Sequence, residues 1–174
     1  LKALANHARQ RGRDSSGLIY DEDGMCQVRR ADYDINKLLA KNSILHSQFV
    51  LGHSRLITNG LSDNQPVIED DILVIHNGII VNDVEIFNEL NQERQFKIDS
   101  EAILAIVRKE LSGSVDLRSI PGVVLEQCRG AVSAAVILPK IGKVLLFSNN
   151  GSLYVGKKGK EICFSSEFYP LSQI

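Results

Sequence analysis

Apolar residues recur along this chain with two different periods. Leu1, Leu4, Ala5 and Ala8 fall on one face of a helix over Leu1–Arg9, and Ile35, Leu38 and Leu39 do the same over Asp34–Lys41. Asn82 or Asp83 is placed to cap a helix running to about Leu90. Ser100–Leu111 is the clearest helix. Ser100 is its expected N-cap, Glu101 lies in its first turn, and Ile103, Ile106, Val107 and Leu111 line one face. Ser119–Gln127 reads as a further helix with Pro121 near its start, where a missing N–H costs little. Short runs at Leu18–Tyr20, Met25–Arg30 and Phe49–Leu51 read as strands. So do Ala131–Leu138, Lys143–Ser148, Leu153–Val155 and Ile162–Ser165. The turns between the last four are only a few residues long, which requires antiparallel neighbours. Arg11–Gly17 and Thr58–Asp71 read as loops by composition. Helices are segregated from hairpins, so the pattern predicts an α+β layered sandwich rather than a doubly wound parallel sheet.

Between these halves lies Asp71–Asn82, where Ile72–Ile75 and Ile79–Val81 flank His76-Asn77-Gly78. One reading is a β-hairpin, because Asn-Gly tolerates the positive φ angles of a tight turn. The other is an anion pocket at a strand end, in which the Asn77 carboxamide and the Gly78 backbone N–H stabilise a developing oxyanion. Periodicity leaves both open.

Composition narrows the class. The 174 residues are 44% hydrophobic and 24% charged, enough for one domain with a sizeable core; no repeat or linker-like shift divides it. A formal net charge of −1 without basic blocks argues against nucleic acid as a partner. The longest apolar segment, Ala131–Leu138, is far short of the roughly 18 residues of a membrane helix, and no signal-peptide pattern appears. Cys26, Cys128 and Cys163 have no metal-like spacing and read as reduced thiols of a cytoplasmic protein. The only methionine is Met25, so sequence is expected before Leu1, and the end near Tyr169-Pro170-Leu171 also suggests a continuation.

Four segments, taken in order, resemble the glutaminase domain of the class II glutamine amidotransferases, which are N-terminal-nucleophile hydrolases. They are Arg11–Gly17 (RGRDSSG), Gly52–Gly60 (GHSRLITNG), His76–Ile80 (HNGII) and Asp99–Ile103 (DSEAI), with weaker echoes at Arg129–Ile137 and Gly151–Leu171. The likeness runs along nearly the whole chain and implies one glutaminase-like domain over residues 1–174. Its expected fold is a four-layer α/β/β/α sandwich of two antiparallel sheets flanked by helices, with the N-terminal strand lying before Leu1. Leu56, Gln65-Pro66 and Leu153–Gly156 are more like the asparagine-synthetase branch, whereas His-Asn-Gly-Ile-Ile is more like the hexosamine-forming branch.

The resemblance assigns roles by position. Arg55 would grip the glutamine carboxylate with its two-pronged guanidinium. Asp99 would hold the ammonium, and Thr58 would help to position the carboxylate. Asn77 and Gly78 would form the oxyanion hole. Arg11 and Asp14, in a turn packed beneath the nucleophile, and the buried His53 and His76 would be supporting residues. For Arg55 the competing reading is an ion pair at a strand end, and for Asp99 a helix-start carboxylate.

In this family the nucleophile is a cysteine at the mature N-terminus. Its own α-amine, of pKa about 7.7–8.0, serves as general base. None of the three cysteines present matches that position. The expected function is hydrolysis of glutamine to glutamate and ammonia, for transfer to a sugar phosphate or carboxylate acceptor. That acceptor would sit on a synthase or isomerase domain or subunit. No cofactor or metal is implied, and a homo-oligomer is left open. Two alternatives stand beside this: a non-catalytic domain of the same fold that binds an amino acid or a partner protein, and an unrelated thiol hydrolase using Cys26, Cys128 or Cys163.

Overall fold

The computed structural model describes residues 1–42, 44–56, 64–113 and 116–174. They form two compact units, Leu1–Pro66 with Tyr169–Ile174, and Val67–Phe168.

In the first unit, α1 (Lys2–Arg11) and α2 (Ile35–Ala40) accompany β1 (Ser15–Glu22), β2 (Met25–Ala31) and β3 (Val50–Arg55). The strands make an antiparallel sheet in the order β2-β1-β3. Ala5, Leu18, Tyr20, Ile35 and Leu38 form the core between helices and sheet. Asp34 starts α2 by accepting from the Asn36 and Lys37 N–H groups at 3.0 and 3.3 Å. The expected loop Arg11–Gly17 is shorter than its composition suggests, because α1 extends to Arg11 and β1 begins at Ser15. Ser15 and Ser16 are buried there, since their hydroxyls are satisfied by Asn64 Oδ1 and the Tyr33 carbonyl.

The second unit holds β4 (Val67–Glu69), β5 (Ile72–Ile80), α3 (Asp83–Leu90), α4 (Ser100–Ser112) and α5 (Ile120–Gln127). It continues with β6 (Gly130–Leu138), β7 (Lys143–Ser148), β8 (Tyr154–Lys158) and β9 (Glu161–Ser165); α6 (Phe168–Ser172) closes the chain. The main sheet is antiparallel in the order β4-β5-β6-β7, and β8 and β9 form a separate antiparallel ribbon. Residues 102–107 of α4 are buried all round and fill the core with Ile72, Val74 and Ile80 of β5 and Val132 and Val136 of β6.

The α+β class with antiparallel sheets and flanking helices is therefore present. Four details differ from the sequence reading. The short link from β7 to β8 joins strands of different sheets rather than antiparallel neighbours. β5 runs unbroken through His76-Asn77-Gly78, so the hairpin falls; the chain instead pairs with β6 from Leu73↔Ile137 to Ile80↔Gly130. β4 lies inside the expected loop. Asp99, not Ser100, occupies the N-cap of α4, and Ser100 opens the helix. No helix of the described residues is long and apolar enough to cross a membrane.

Candidate functional site

The register of β5 determines which of its groups face away from β6. Val81 N–H donates to the Arg129 carbonyl, so odd-numbered residues of β5 make the hydrogen-bonded pairs with β6. Val132, opposite Gly78, sends both its N–H and its carbonyl to Asn149. The Gly78 N–H is thus turned away from β6, toward the edge along which β4 has already ended at Val67↔Val74. Two residues further along that edge, the Ile80 N–H donates to Asp99 Oδ2 at 2.8 Å. Asp99 reaches there because α4 packs against β5 and begins beside this edge.

Only glycine fits at position 78. Its φ is +151°, and a Cβ would overlap the Ala131 carbonyl oxygen and lie 2.7 Å from His76 Nε2. The neighbouring Asn77 is half-buried on the sheet face opposite the helices, since Val74 and His76 point to the helix side. Opposite Asn77 stands Ser133, whose hydroxyl bonds to Ser148 Oγ and Asn150 Oδ1 at 2.8 and 2.7 Å.

Behind the edge, His76 is 2% exposed. Its Nε2 faces the Ala131 carbonyl at 3.2 Å, its Nδ1 lies 3.2 Å from Ser100 Oγ, and Asp99 Oδ2 is 4.0 Å from that same Nδ1. Burial pushes the imidazole below its ordinary pKa, against the opposing pull of the Asp99 charge and the Ala131 carbonyl. Glu101, also fully buried, accepts from the Gln95 and Phe96 N–H groups at 2.6 and 3.0 Å, and so ties down the segment leading into Asp99.

The structure thus brings Asn77, Gly78, His76 and Asp99 together in the second unit. Arg55 and His53 lie on β3 of the first unit, both half-buried, paired in register with Ser15 and Gly17. Gly12 is buried against Arg55: a Cβ there would sit 2.7 Å from both the Arg55 and Leu56 backbone nitrogens. The exposed Arg11 ends α1 just before it. Thr58 lies outside the described residues. Ser100 was expected only as a helix cap, and the Ser133–Ser148–Asn150 cluster was given no role from sequence, although a serine inside the apolar run AVSAAVI was the available signal. Among the described residues, no group of three His, Cys, Asp or Glu is gathered as a metal site would require. Cys128 is buried, and desolvation together with the Asp99 charge pushes its thiol up to about 12, which suits an inert core residue.

A family description, glutamine amidotransferase domain, matches residues 53–173, well over half of the chain. The chain belongs to the glutamine amidotransferase domain family. Its relatives place this amidotransferase domain in class II, the N-terminal-nucleophile class. Glutamine–fructose-6-phosphate aminotransferase (isomerizing) of Zymomonas mobilis is 28% identical over 173 aligned positions, covering 94% of the chain and 28% of that protein. The 7-cyano-7-deazaguanine synthase of Saccharolobus solfataricus is 31% identical over 150 positions, covering 78% of the chain and 31% of that protein. A solved structure of glutamine phosphoribosylpyrophosphate amidotransferase from B. subtilis, complexed with ADP and GMP, superposes with a TM-score of 0.79 at 18% identity. That superposition covers 98% of the amidotransferase domain and 39% of the other chain, and it shows a common fold. The domain spans less than a third of the length of the two curated relatives.

Proposed function

We propose that this chain is the glutaminase part of a larger amidotransferase, hydrolysing glutamine to glutamate and ammonia for an acceptor-processing synthase or isomerase domain or subunit. The observation that carries this reading is the edge of β5 that continues beyond β4 and, among the described residues, is uncovered by another strand. It offers the Gly78 N–H beside the Asn77 carboxamide, with the Asp99 carboxylate held at Ile80. Two strand residues span about 7 Å, comparable with the reach of glutamine from its α-ammonium to its side-chain amide. Asp99 takes the ammonium, and the Gly78 N–H with the Asn77 carboxamide faces the amide oxygen. By position in the family likeness, Arg55 is assigned to the α-carboxylate, and Arg11, His53 and His76 to supporting roles. Relatives aligned across 94% of the chain support treating both units as one glutaminase domain.

The attacking group is a cysteine thiolate at the mature N-terminus of the full-length protein. A C–S bond forms at the amide carbon, and its negative oxygen is held by the two donors until the C–N bond breaks. The amide nitrogen leaves as ammonia, carrying the proton taken by the α-amine. Water then cleaves the thioester and returns the thiol. The net charge of −1 without basic blocks supports a partner other than nucleic acid, and cysteines that read as reduced thiols support a cytoplasmic setting.

Labelling the full-length protein with a glutamine-mimicking electrophile tests the proposal. An adduct on an N-terminal cysteine, competed by glutamine, is expected; its absence sides with a non-catalytic domain of the same fold. Arg55→Ala should raise KM with kcat little changed. Asn77→Ala should lower kcat by about a hundredfold, as loss of one oxyanion donor does elsewhere.

A further inference from the structure

We propose that His76 sets whether Asp99 can accept a ligand ammonium, with Ser100 Oγ as the bridge between them. The inference rests on the glutaminase reading and assigns a control to the same site. A carbonyl only accepts, so the contact of Nε2 with the Ala131 oxygen at 3.2 Å places a proton on Nε2. In the neutral ring Nδ1 is then the acceptor, and the Ser100 hydroxyl donates to it at 3.2 Å. In that state Asp99 keeps Oδ1 for a ligand, while Oδ2 is held by the Ile80 N–H.

Protonation reverses the direction. Nδ1–H then donates to Ser100 Oγ, and the Ser100 proton turns to Asp99 Oδ1, 3.4 Å away. A buried cation now lies 4.0 Å from Asp99 Oδ2 and occupies the electrostatic place of the substrate ammonium. Among the described residues, three further elements bring groups toward this pair. β6 contributes the neutral Ala131 carbonyl, and Cys128 at the end of α5 stays a thiol. Glu101 on α4 is committed to the Gln95 and Phe96 N–H groups and lies 3.8 Å from Arg94 Nε. Burial of the ring keeps it neutral near pH 7, so the competing state belongs to the acid side. Linkage makes the effect reciprocal: a ligand ammonium on Asp99 must raise the acid dissociation constant of His76 by the factor by which protonation weakens that ligand, and so lower its pKa by the logarithm of that factor.

The test uses the full-length protein with glutamine, glutamate and glutaramate, which is glutamine without its α-amino group. Below the His76 midpoint, KM for glutamine should rise by up to tenfold per pH unit, whereas inhibition by glutaramate should stay level. In NMR of ring-labelled histidine, saturating glutamate should shift the His76 midpoint down. His76→Asn, which cannot carry a charge, should remove the acid-side rise in KM without changing the acid limb of kcat. An unmoved His76 midpoint under glutamate, or equal acid sensitivity for the two ligands, overturns the relay and leaves the glutaminase reading intact. Failure to hydrolyse glutamine at every pH overturns both. The wild-type titration decides the matter even where the His76 variant does not fold.

Discussion

Asp99 carries two loads that a pair of substitutions separates. Its Oδ2 accepts from the Ile80 N–H at 2.8 Å, and its side chain, 26% exposed, is the proposed seat of the substrate ammonium. A hydrogen bond to a charged acceptor is worth about 1.5–3 kcal/mol. An ammonium about 4 Å from a carboxylate is worth about 4 kcal/mol at an effective dielectric constant near 20, and partial exposure reduces this to about 2 kcal/mol. Asp99→Asn keeps an oxygen for Ile80 but loses the charge. It should leave stability within about 1 kcal/mol of wild type and raise KM for glutamine about thirtyfold. Asp99→Ala loses both and should also destabilise by about 2 kcal/mol, a shift of about 1 M in the urea midpoint. The assay is glutamate release by the full-length protein alongside urea unfolding of each variant. An Asn variant with wild-type KM would remove Asp99 from the ligand. An Asn variant as unstable as the Ala variant would show that the Ile80 contact needs more than an acceptor oxygen.

Other expectations follow from the same geometry. Gly78→Ala combines a positive φ with an overlap on the Ala131 carbonyl, so it should cost about 3 kcal/mol or more in chemical denaturation, against near-neutrality for Gly122→Ala, where a Cβ meets nothing. Glu101→Ala leaves the Gln95 and Phe96 amides without their acceptor; a loss of about 3 kcal/mol, with faster hydrogen exchange at those two amides, is expected. Cys128, pushed up to about 12, should resist alkylation at pH 8 in the native protein. Because that pKa is raised above its ordinary 9.0, the stability contributed by the neutral thiol is complete below about 9 and is lost as pH rises toward about 12, which alkaline unfolding of wild type and Cys128→Ala would show.

What the sequence reveals depends on whether the deciding interaction is local. α4 was legible because Ile103, Ile106 and Val107 carry its period within one stretch, and the hairpins β6–β7 and β8–β9 declare themselves by turn length, whereas the equally short β7–β8 link crosses between sheets. β5 was open to two readings. Asn77-Gly78 has the turn composition, yet Gly78 is required by the close approach of Ala131, a residue 53 positions away that no local pattern reports. β4 stayed hidden because three residues are too few to show alternation. Ser15 and Ser16 look like loop residues until Asn64 and Tyr33 satisfy them inside a strand. For the site, Asp99 and Asn77-Gly78 entered through motif likeness. Ser100 and Ser133 lie within matched segments but received no site role there, since only packing shows that their hydroxyls meet His76 and Asn150. The N-cap expectation put Ser100 one position late because Asp99 turns its carboxylate to Ile80 rather than to its own helix.

The most direct measurement is a crystal structure of the full-length protein with glutamate bound. The α-ammonium should lie within hydrogen-bonding distance of Asp99, the α-carboxylate on the Arg55 guanidinium, and the side-chain carboxylate against the Gly78 N–H and the Asn77 carboxamide. Glutamate seated away from β5, or bound with its ammonium on a group other than Asp99, would contradict the account.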